Sequence, residues 1–320
     1  MAIHVGEYRI SLDMKDADAN LNFVSHAHSD HTAGVRKNSD ILCSEITRDL
    51  VQTRTKFGIR SVATPKNVEL LDSGHMFGAK QLYATYENGG TIVYTGDYQL
   101  QRSPVAEKIE IKKADALIID STYPLPDVVF DEKEEVITAM QHYINAKMST
   151  GSVLFGAYSM GKAQELIRIC NEIGIAPIVD GKIAMISEIY SKHGMKLDFS
   201  TKELGSAVAD DDFREPVWIV SMHKFDTVRG IVASMNRKVF TAIATGFAMT
   251  QRFNTDVQFA LSDHADFKQA IEYIEQCSPK QIYTRGQGSY VFAENLKAKG
   301  YNAQPLRSAA QMASLLTSYF

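Results

Sequence analysis

The chain has 320 residues, of which 45% are hydrophobic and 22% are charged, and it carries a formal net charge of −4. These proportions are ordinary for a globular protein with a full core, and they give no overall basic surface. Attraction to nucleic acid would therefore have to come from a local groove or from bound metal ions.

The cysteine count and the hydropathy pattern bear on the cellular compartment. Three widely spaced cysteines do not indicate a disulfide framework. No apolar run approaches the roughly 20 residues needed to span a bilayer. The N-terminal sequence MAIHVGEYRISLDM also lacks the charged-then-apolar pattern of a signal peptide. We therefore expect a soluble, cytoplasmic protein without a membrane partner.

Predicted strands and helices alternate along the chain. Runs rich in β-branched and aromatic residues predict strands, which are, in chain order, GTIVYTGD, DALIIDST, GSVLFGAY, PVWIVSM, RKVFTAIATG, VQFALSDH and KQIYTRG. Apolar residues at helical spacing predict helices in EEVITAMQHYINAKM, GKAQELIRICNEIG and DFKQAIEYIEQC. Asp266 is placed to cap the last of these helices. The alternation predicts a layered α/β fold.

The segment FVSHAHSDHTAG places three of the chain's nine histidines and an aspartate within six residues, directly after a short apolar run. A packed core would have to satisfy all of these polar groups in one small volume, so a metal site explains the crowding better. Residues two apart in an extended segment point the same way. We therefore expect His26 and His28 to face one ion, and Asp30 and His31, beyond a turn, to face a second.

This H-x-H-x-D-H spacing resembles the signature of the metallo-β-lactamase superfamily. The resemblance implies a third histidine, which GHMFGA supplies as His75. It also implies an aspartate at a strand end that bridges both ions, which TIVYTGDYQ supplies as Asp97. An early aspartate that closes the first hairpin is matched by Asp13, which would orient the ligands.

Further segments narrow the resemblance to the β-CASP nuclease branch, and within it to ligase-associated DNA exonucleases and messenger-RNA 3′-end processing factors. These segments are IIDSTYP, GSVLFGAYSMGKAQELI, TGFAM, ALSDHADF and KQIYTRGQ. The resemblance implies a metallo-β-lactamase αββα sandwich formed by residues 1–148 and 250–320. An α/β β-CASP cap domain would be inserted at residues 149–249.

The resemblance implies a metal-dependent nuclease that hydrolyses phosphodiester bonds of single-stranded DNA or RNA, most simply a 3′-to-5′ exonuclease in DNA repair or RNA processing. The cofactor would be one or two zinc ions, with manganese able to substitute, and DNA ligase or other repair and processing proteins would be partners. Asp30 or the bridging Asp97 would orient the attacking water, His264 would protonate the departing oxygen, and Asp120 would hold the tautomer of His264. Lys162, at a predicted helix N-terminus, could bind a phosphate, and Tyr158 could stack on a base.

One motif departs from the branch. Its last motif usually reads T-H-G, whereas this chain has T-R-G with Arg285 in place of the histidine. Arginine cannot be a metal ligand, because its guanidinium stays protonated. Three consequences remain open. The second ion is held weakly by Asp30, His31 and Asp97 alone, or Arg285 supplies positive charge and binds a phosphate oxygen, or Arg285 pairs with a local carboxylate and activity is weak or absent.

Two other classes of function are alternatives to the nuclease. A small-molecule metallohydrolase, such as a lactonase or thioesterase, would use the same metal core. The segments GAYSMGKAQ and SDHAD argue against it, because a small substrate needs no second layer. A nucleic-acid-binding protein with a weakened metal site is supported only by Arg285.

Overall fold

The protein is described from a computed structural model, which describes residues 1–123, 125–202, 216–234 and 238–306. The strands are β1 (Ala2–Val5), β2 (Tyr8–Leu12), β3 (Leu21–Phe23), β4 (Asp40–Leu42), β5 (Arg60–Ser61), β6 (Val68–Asp72), β7 (Lys80–Thr85), β8 (Thr91–Tyr94), β9 (Ala116–Asp120), β10 (Ser152–Ala157), β11 (Ile178–Val179), β12 (Ser200–Thr201), β13 (Val217–Ser221), β14 (Val239–Ala244), β15 (Val257–Phe259), β16 (Gln281–Arg285) and β17 (Ala303–Pro305). The helices are α1 (Glu45–Thr55), α2 (Lys133–Met148), α3 (Lys162–Glu172), α4 (Gly181–Lys192), α5 (Met222–Ser234), α6 (Phe267–Cys277) and α7 (Ser289–Ala298). Every β-rich run and every amphipathic segment named above forms the predicted element.

Backbone contacts divide the chain into two compact units. The first comprises Met1–Arg102, Ala106–Val129 and His264–Phe320, and the second comprises Ser103–Val105 and Phe130–Asp263.

In the first unit, two sheets pack face to face. One has the strand order β1-β2-β3-β4-β5 and the other has the order β17-β16-β9-β8-β7-β6. Side chains between them, including Ile10 and Phe23 from one sheet and Tyr94 and Ile118 from the other, form one apolar cluster. The opposite face of the second sheet packs against α6 and α7, and α1 lies beside β5. The first unit therefore has the predicted αββα layers.

The second unit is built on a parallel sheet with the order β12-β11-β13-β10-β14-β15. The central strand β10 is buried along its whole length. Val153 and Phe155 pack with α2, α3 and α4, whereas Leu154 packs with Phe225 of α5 on the other face. Burial on both faces explains why β10 is a continuous apolar run rather than an alternating one.

The observed units differ from the sequence-based boundaries in where α2 belongs. Those boundaries group α2 and residues 250–263 with the first unit. In the structure, Val136, Met140 and Ile144 of α2 lie in the core of the second unit, and β15 pairs with β14. The periodicity of α2 fixes which helix face is buried, but it carries no information on which sheet that face covers.

Two further observations concern the hydropathy of the helices and the state of the cysteines. None of the helices in the described ranges has the length and apolar character needed to cross a bilayer. Cys43, Cys170 and Cys277 are buried free thiols. Burial raises the pKa of Cys43 and of Cys170 to about 12, so these thiols act as apolar packing groups.

Candidate metal centre

The site lies at one edge of the second sheet of the first unit. Strands β8, β9 and β16 run parallel as neighbours, so their carboxyl ends meet at the same edge. Asp120 and Arg285 end β9 and β16 as paired residues, and Asp97 follows β8. The histidine-rich loop follows β3 of the facing sheet.

Three imidazoles converge at this edge. Nδ1 of His28 lies 3.0 Å from Nε2 of His26 and 3.3 Å from Nε2 of His75. With a carboxylate oxygen of Asp97, these ligand atoms all lie within 4.8 Å of one another. Two nitrogens bound at about 2.0–2.1 Å to one tetrahedral zinc ion are about 3.3–3.4 Å apart. Nδ1 of His28 has either one in-plane lone pair or one N–H, so it can complete a good hydrogen bond with only one of the two Nε2 atoms. This donor set therefore fits a cation better than a pair of hydrogen bonds, and the cluster could hold a metal ion.

Asp97 lies at the centre of the histidine cluster. Its Oδ2 is 3.5 Å from Nε2 of His26, 3.3 Å from Nε2 of His31, and 3.8 Å from Nε2 of both His75 and His264. Asp97 therefore lies between the histidines, and its bridging of two ions stays a prediction. Burial opposes ionisation of Asp97, but the charges of His31 and His264 outweigh it and hold its pKa well below the ordinary value.

A glycine allows Asp97 to come this close. Gly96 has a φ of +55°, and a Cβ at this residue would lie 2.7 Å from Cβ of Ser25. Any side chain here would push the loop after β8 away from the histidine-rich loop.

The second predicted donor set is less compact. Nε2 of His31 lies 3.4 Å from Oδ2 of Asp30 and 3.3 Å from Oδ2 of Asp97. The Asp30 side chain is 76% exposed, and the hydrogen bond from His31 lowers its pKa to about 2. Burial would lower the pKa of His31, but Asp97 and Asp13 outweigh it and raise that pKa well above its usual value. By contrast, burial and the charge of His31 lower the pKa of His26, which favours the neutral imidazole that binds metals.

Asp13 lies next to this second set, and its role in orienting the ligands stays a prediction. It is 1% exposed, and its carboxylate lies 2.7 Å from Nδ1 of His31. It also accepts hydrogen bonds from the backbone N–H of Ser25 at 2.7 Å, the Ser25 hydroxyl at 2.6 Å, and the Tyr94 hydroxyl at 2.7 Å. Sequence reasoning missed Ser25 and Tyr94. The position of Ser25 directly before His26 was a usable signal, whereas Tyr94 in its strand is indistinguishable from a core aromatic.

His264 and Asp120 form a pair on another side of the centre. Nδ1 of His264 lies 3.3 Å from Oδ2 of Asp120, and its Nε2 faces Asp97. The hydroxyl of Thr122 donates to Oδ1 of Asp120 at 3.0 Å, and the amide of Gln99 donates to the backbone oxygen of His264 at 3.0 Å. Both ends of the pair are therefore fixed.

Arg285 points towards Asp13 rather than into the histidine cluster. Its Nη1 lies 3.7 Å from Oδ2 of Asp13, and its guanidinium carbon lies 5.1 Å from the centre of the Tyr94 ring. The side chain is 20% exposed. Three consequences of Arg285 were considered above. The observed geometry matches the one in which Arg285 lies beside a local carboxylate.

The predicted substrate contacts of the second unit differ in accessibility. Lys162 is 2% exposed, and its Nζ lies 2.6 Å from Oε2 of Glu165 and 3.7 Å from Oδ2 of Asp263. The other oxygen of Glu165 accepts from Nζ of Lys133 at 2.9 Å. The phosphate contact predicted for Lys162 is not supported, because its ammonium group is buried in an ion-pair cluster. Tyr158 follows β10 and is 51% exposed, so its ring is accessible.

Comparison with known proteins places the chain in a family. No protein-family model matches it. It is 28% identical over 306 residues to a probable DNA ligase of Opitutus terrae, covering 88% of this chain and 28% of that protein. It is 36% identical over 141 residues to an uncharacterized protein in the lig 3′ region of Acidianus ambivalens, covering 43% of this chain and 97% of that one. It is 24% identical over 295 residues to the 5′ exonuclease Apollo of Gallus gallus, covering 86% of this chain and 60% of that protein.

A solved structure supports the fold. A protein of unknown function from Enterococcus faecalis V583 superposes with a TM-score of 0.61 at 13% identity, covering 92% of this chain and 81% of that one. The layered sheets and the histidine-rich edge define a metallo-β-lactamase-type protein. The chain belongs to the β-CASP branch of the metallo-β-lactamase superfamily, as its motifs predicted. It spans less than two thirds of the length of the ligase and of Apollo.

Proposed function

We propose that this chain is a metal-dependent nuclease that hydrolyses phosphodiester bonds of single-stranded nucleic acid, with DNA as its principal substrate. The convergence of His26, His28, His75 and Asp97, next to the His264–Asp120 pair, is the observation that carries the proposal. Relatives named as a DNA ligase and an exonuclease support it.

The ligands that we propose for the more tightly bound ion are His26, His28, His75 and Asp97. Asp30 and His31 are further donor residues on the other side of Asp97. Zinc suits a set of three imidazole nitrogens, and manganese is a substitute for the same donors. A divalent ion at this place supplies Lewis acidity, lowering the pKa of water and stabilising negative charge on a phosphate.

The protein's own contribution is orientation and proton transfer. Asp30, which is largely exposed beside the histidine cluster, would accept a hydrogen bond from the attacking water. His264 would protonate the departing sugar oxygen through Nε2, because Asp120 holds Nδ1 on the opposite side of the ring. Asp120 would also stabilise the imidazolium form.

The substrate contacts are proposed on accessibility and charge. Tyr158 would stack on a base, a contact worth roughly 1–3 kcal/mol, and Arg285 would attract the phosphate backbone.

We propose a 3′-to-5′ exonuclease that works alongside a DNA ligase. One relative is named a probable DNA ligase and another an uncharacterized protein in the lig 3′ region, and these names support the association. The name of Apollo favours the opposite polarity as a second candidate.

The test uses purified protein that is stripped of metal and reloaded with zinc or manganese. Substrates are single-stranded DNA and RNA of equal sequence, labelled at either the 5′ or the 3′ end. Asp30→Ala and His264→Ala are compared with His142→Ala, a matched control at an exposed position on α2. We expect a ladder that shortens from the 3′ end, at a rate reduced roughly 10²- to 10⁴-fold in His264→Ala and unchanged in the control.

The other outcomes separate the alternatives. Shortening from the 5′ end would replace the polarity and keep the nuclease. Absence of cleavage of either strand with either metal would refute the nuclease. Binding of the strands without cleavage would then indicate a nucleic-acid-binding protein, and hydrolysis of thioesters or lactones would indicate a small-molecule hydrolase.

A further inference from the structure

The two sides of Asp97 differ in their surrounding charge. On one side stand the imidazoles of His26, His28 and His75, which with Asp97 form one compact group of donors. On the other side are Asp30 and His31. Among the described residues, no group of three or more donors within 4.8 Å of one another includes Asp30 or His31.

Two arginines lie beside that second side. Nη1 of Arg285 is 3.7 Å from Oδ2 of Asp13, the same oxygen that contacts Nδ1 of His31 at 2.7 Å. Arg54, in the last turn of α1, donates to the hydroxyl of Thr32, which directly follows His31. Asp30 interacts electrostatically with both guanidinium groups.

The position of Arg285 is fixed by its contacts. Its guanidinium lies over the ring of Tyr94, whose hydroxyl donates to Asp13, and its backbone oxygen accepts from the N–H and the hydroxyl of Ser121 at 2.8 and 2.5 Å. A guanidinium does not lose its proton in a protein, so this charge is permanent. At an effective dielectric of about 20, a single positive charge weakens the binding of a divalent ion by roughly a hundredfold even at a separation of about 12 Å, and by more at shorter separations.

We propose that Arg285 takes the place of a second metal ion, so that the chain holds a single tightly bound ion at His26, His28, His75 and Asp97. The guanidinium then supplies the positive charge on the Asp30–His31 side. This inference rests on the metal centre of the proposed function, but not on which bond the protein cleaves.

The experiment counts ions rather than turnover. Native mass spectrometry and elemental analysis give the zinc content per chain after loading and desalting, and titration against a competing colorimetric chelator gives the affinity of each ion. The variants are Arg285→His, which adds a donor and removes the charge, and Arg285→Lys, which keeps the charge. Arg60→His is the matched control, because Arg60 is 74% exposed and paired with Asp40.

We expect about one tightly held zinc ion in the wild type, in Arg285→Lys and in Arg60→His. In Arg285→His we expect a second ion, which binds roughly a hundredfold more tightly than any second ion in the wild type. Two ions of similar affinity in the wild type would overturn the inference, whether or not the variants fold. A single ion in folded Arg285→His would overturn it as well. If the counts agree and no nucleic acid is cleaved, the inference stands and the nuclease proposal falls.

Discussion

Replacing Glu165 by glutamine should destabilise the second unit strongly. The Glu165 carboxylate lies between Nζ of Lys133 at 2.9 Å and Nζ of Lys162 at 2.6 Å, and each of the three side chains is at most 3% exposed. Glutamine would remove the negative charge that both buried ammonium groups contact, while Asp263 stays 3.7 Å from Lys162. Removing one partner of a buried ion pair costs about 3–5 kcal/mol, because the remaining charge is left uncompensated.

The chain provides a specific probe for this measurement. Its single tryptophan, Trp218, is 1% exposed on β13, within the second unit, so its fluorescence reports the unfolding of that unit. At a urea dependence of about 2 kcal/mol per molar, the midpoint should fall by roughly 2 M. Glu172→Gln is the matched control on α3, because its 38% exposed carboxylate lies 3.7 Å from Arg168 and contributes about 0–1 kcal/mol. A midpoint for Glu165→Gln within the error of the control would refute the argument that this ion-pair cluster stabilises the second unit.

Two further predictions concern pH and the Asp13 network. Burial raises the pKa of Glu165, but the two lysines outweigh it and hold that pKa below its usual value. The contribution of Glu165 to the free energy of unfolding is therefore complete above about pH 4.3 and is lost as the pH falls through the lower folded-state pKa. The urea midpoint reported by Trp218 should accordingly fall in acid. In Glu165→Gln, the midpoint should depend less on pH. Tyr94→Phe removes the 2.7 Å hydrogen bond to Asp13 and should cost about 1.5–3 kcal/mol in thermal unfolding of the first unit. Tyr83→Phe, whose hydroxyl donates to an exposed backbone oxygen at 3.2 Å, should cost less, and equal costs would contradict the buried network.

The sequence predicted features that depend on neighbours along the chain. The strands and helices follow from apolar runs of the right period, and the capping of α6 by Asp266 follows from one side chain that accepts from the N–H of Gln269. The convergence of His26 and His28 likewise follows from a spacing of two residues. His75 and Asp97 required the family resemblance, because no local rule brings loops from different strands to one point.

The failures share a physical cause. Lys162 at a helix N-terminus has the local pattern of a phosphate contact, but Glu165 and Lys133 bury it in an ion-pair cluster. Lys133 lies on another helix, and no period in the sequence links it to Glu165. Tyr94 was missed for the same reason, since its partner Asp13 is 81 residues away.

Arg285 shows what the structure adds to a known charge. The sequence established that the guanidinium is cationic and left its partner open. The partner, Asp13, already receives hydrogen bonds from the backbone and hydroxyl of Ser25, from Tyr94 and from His31. A carboxylate has about four acceptor sites, so at 3.7 Å Arg285 completes no hydrogen bond and acts through its charge. An effect of this kind survives replacement by lysine and not by histidine, which is why the two variants of Arg285 are expected to differ in the number of ions they hold.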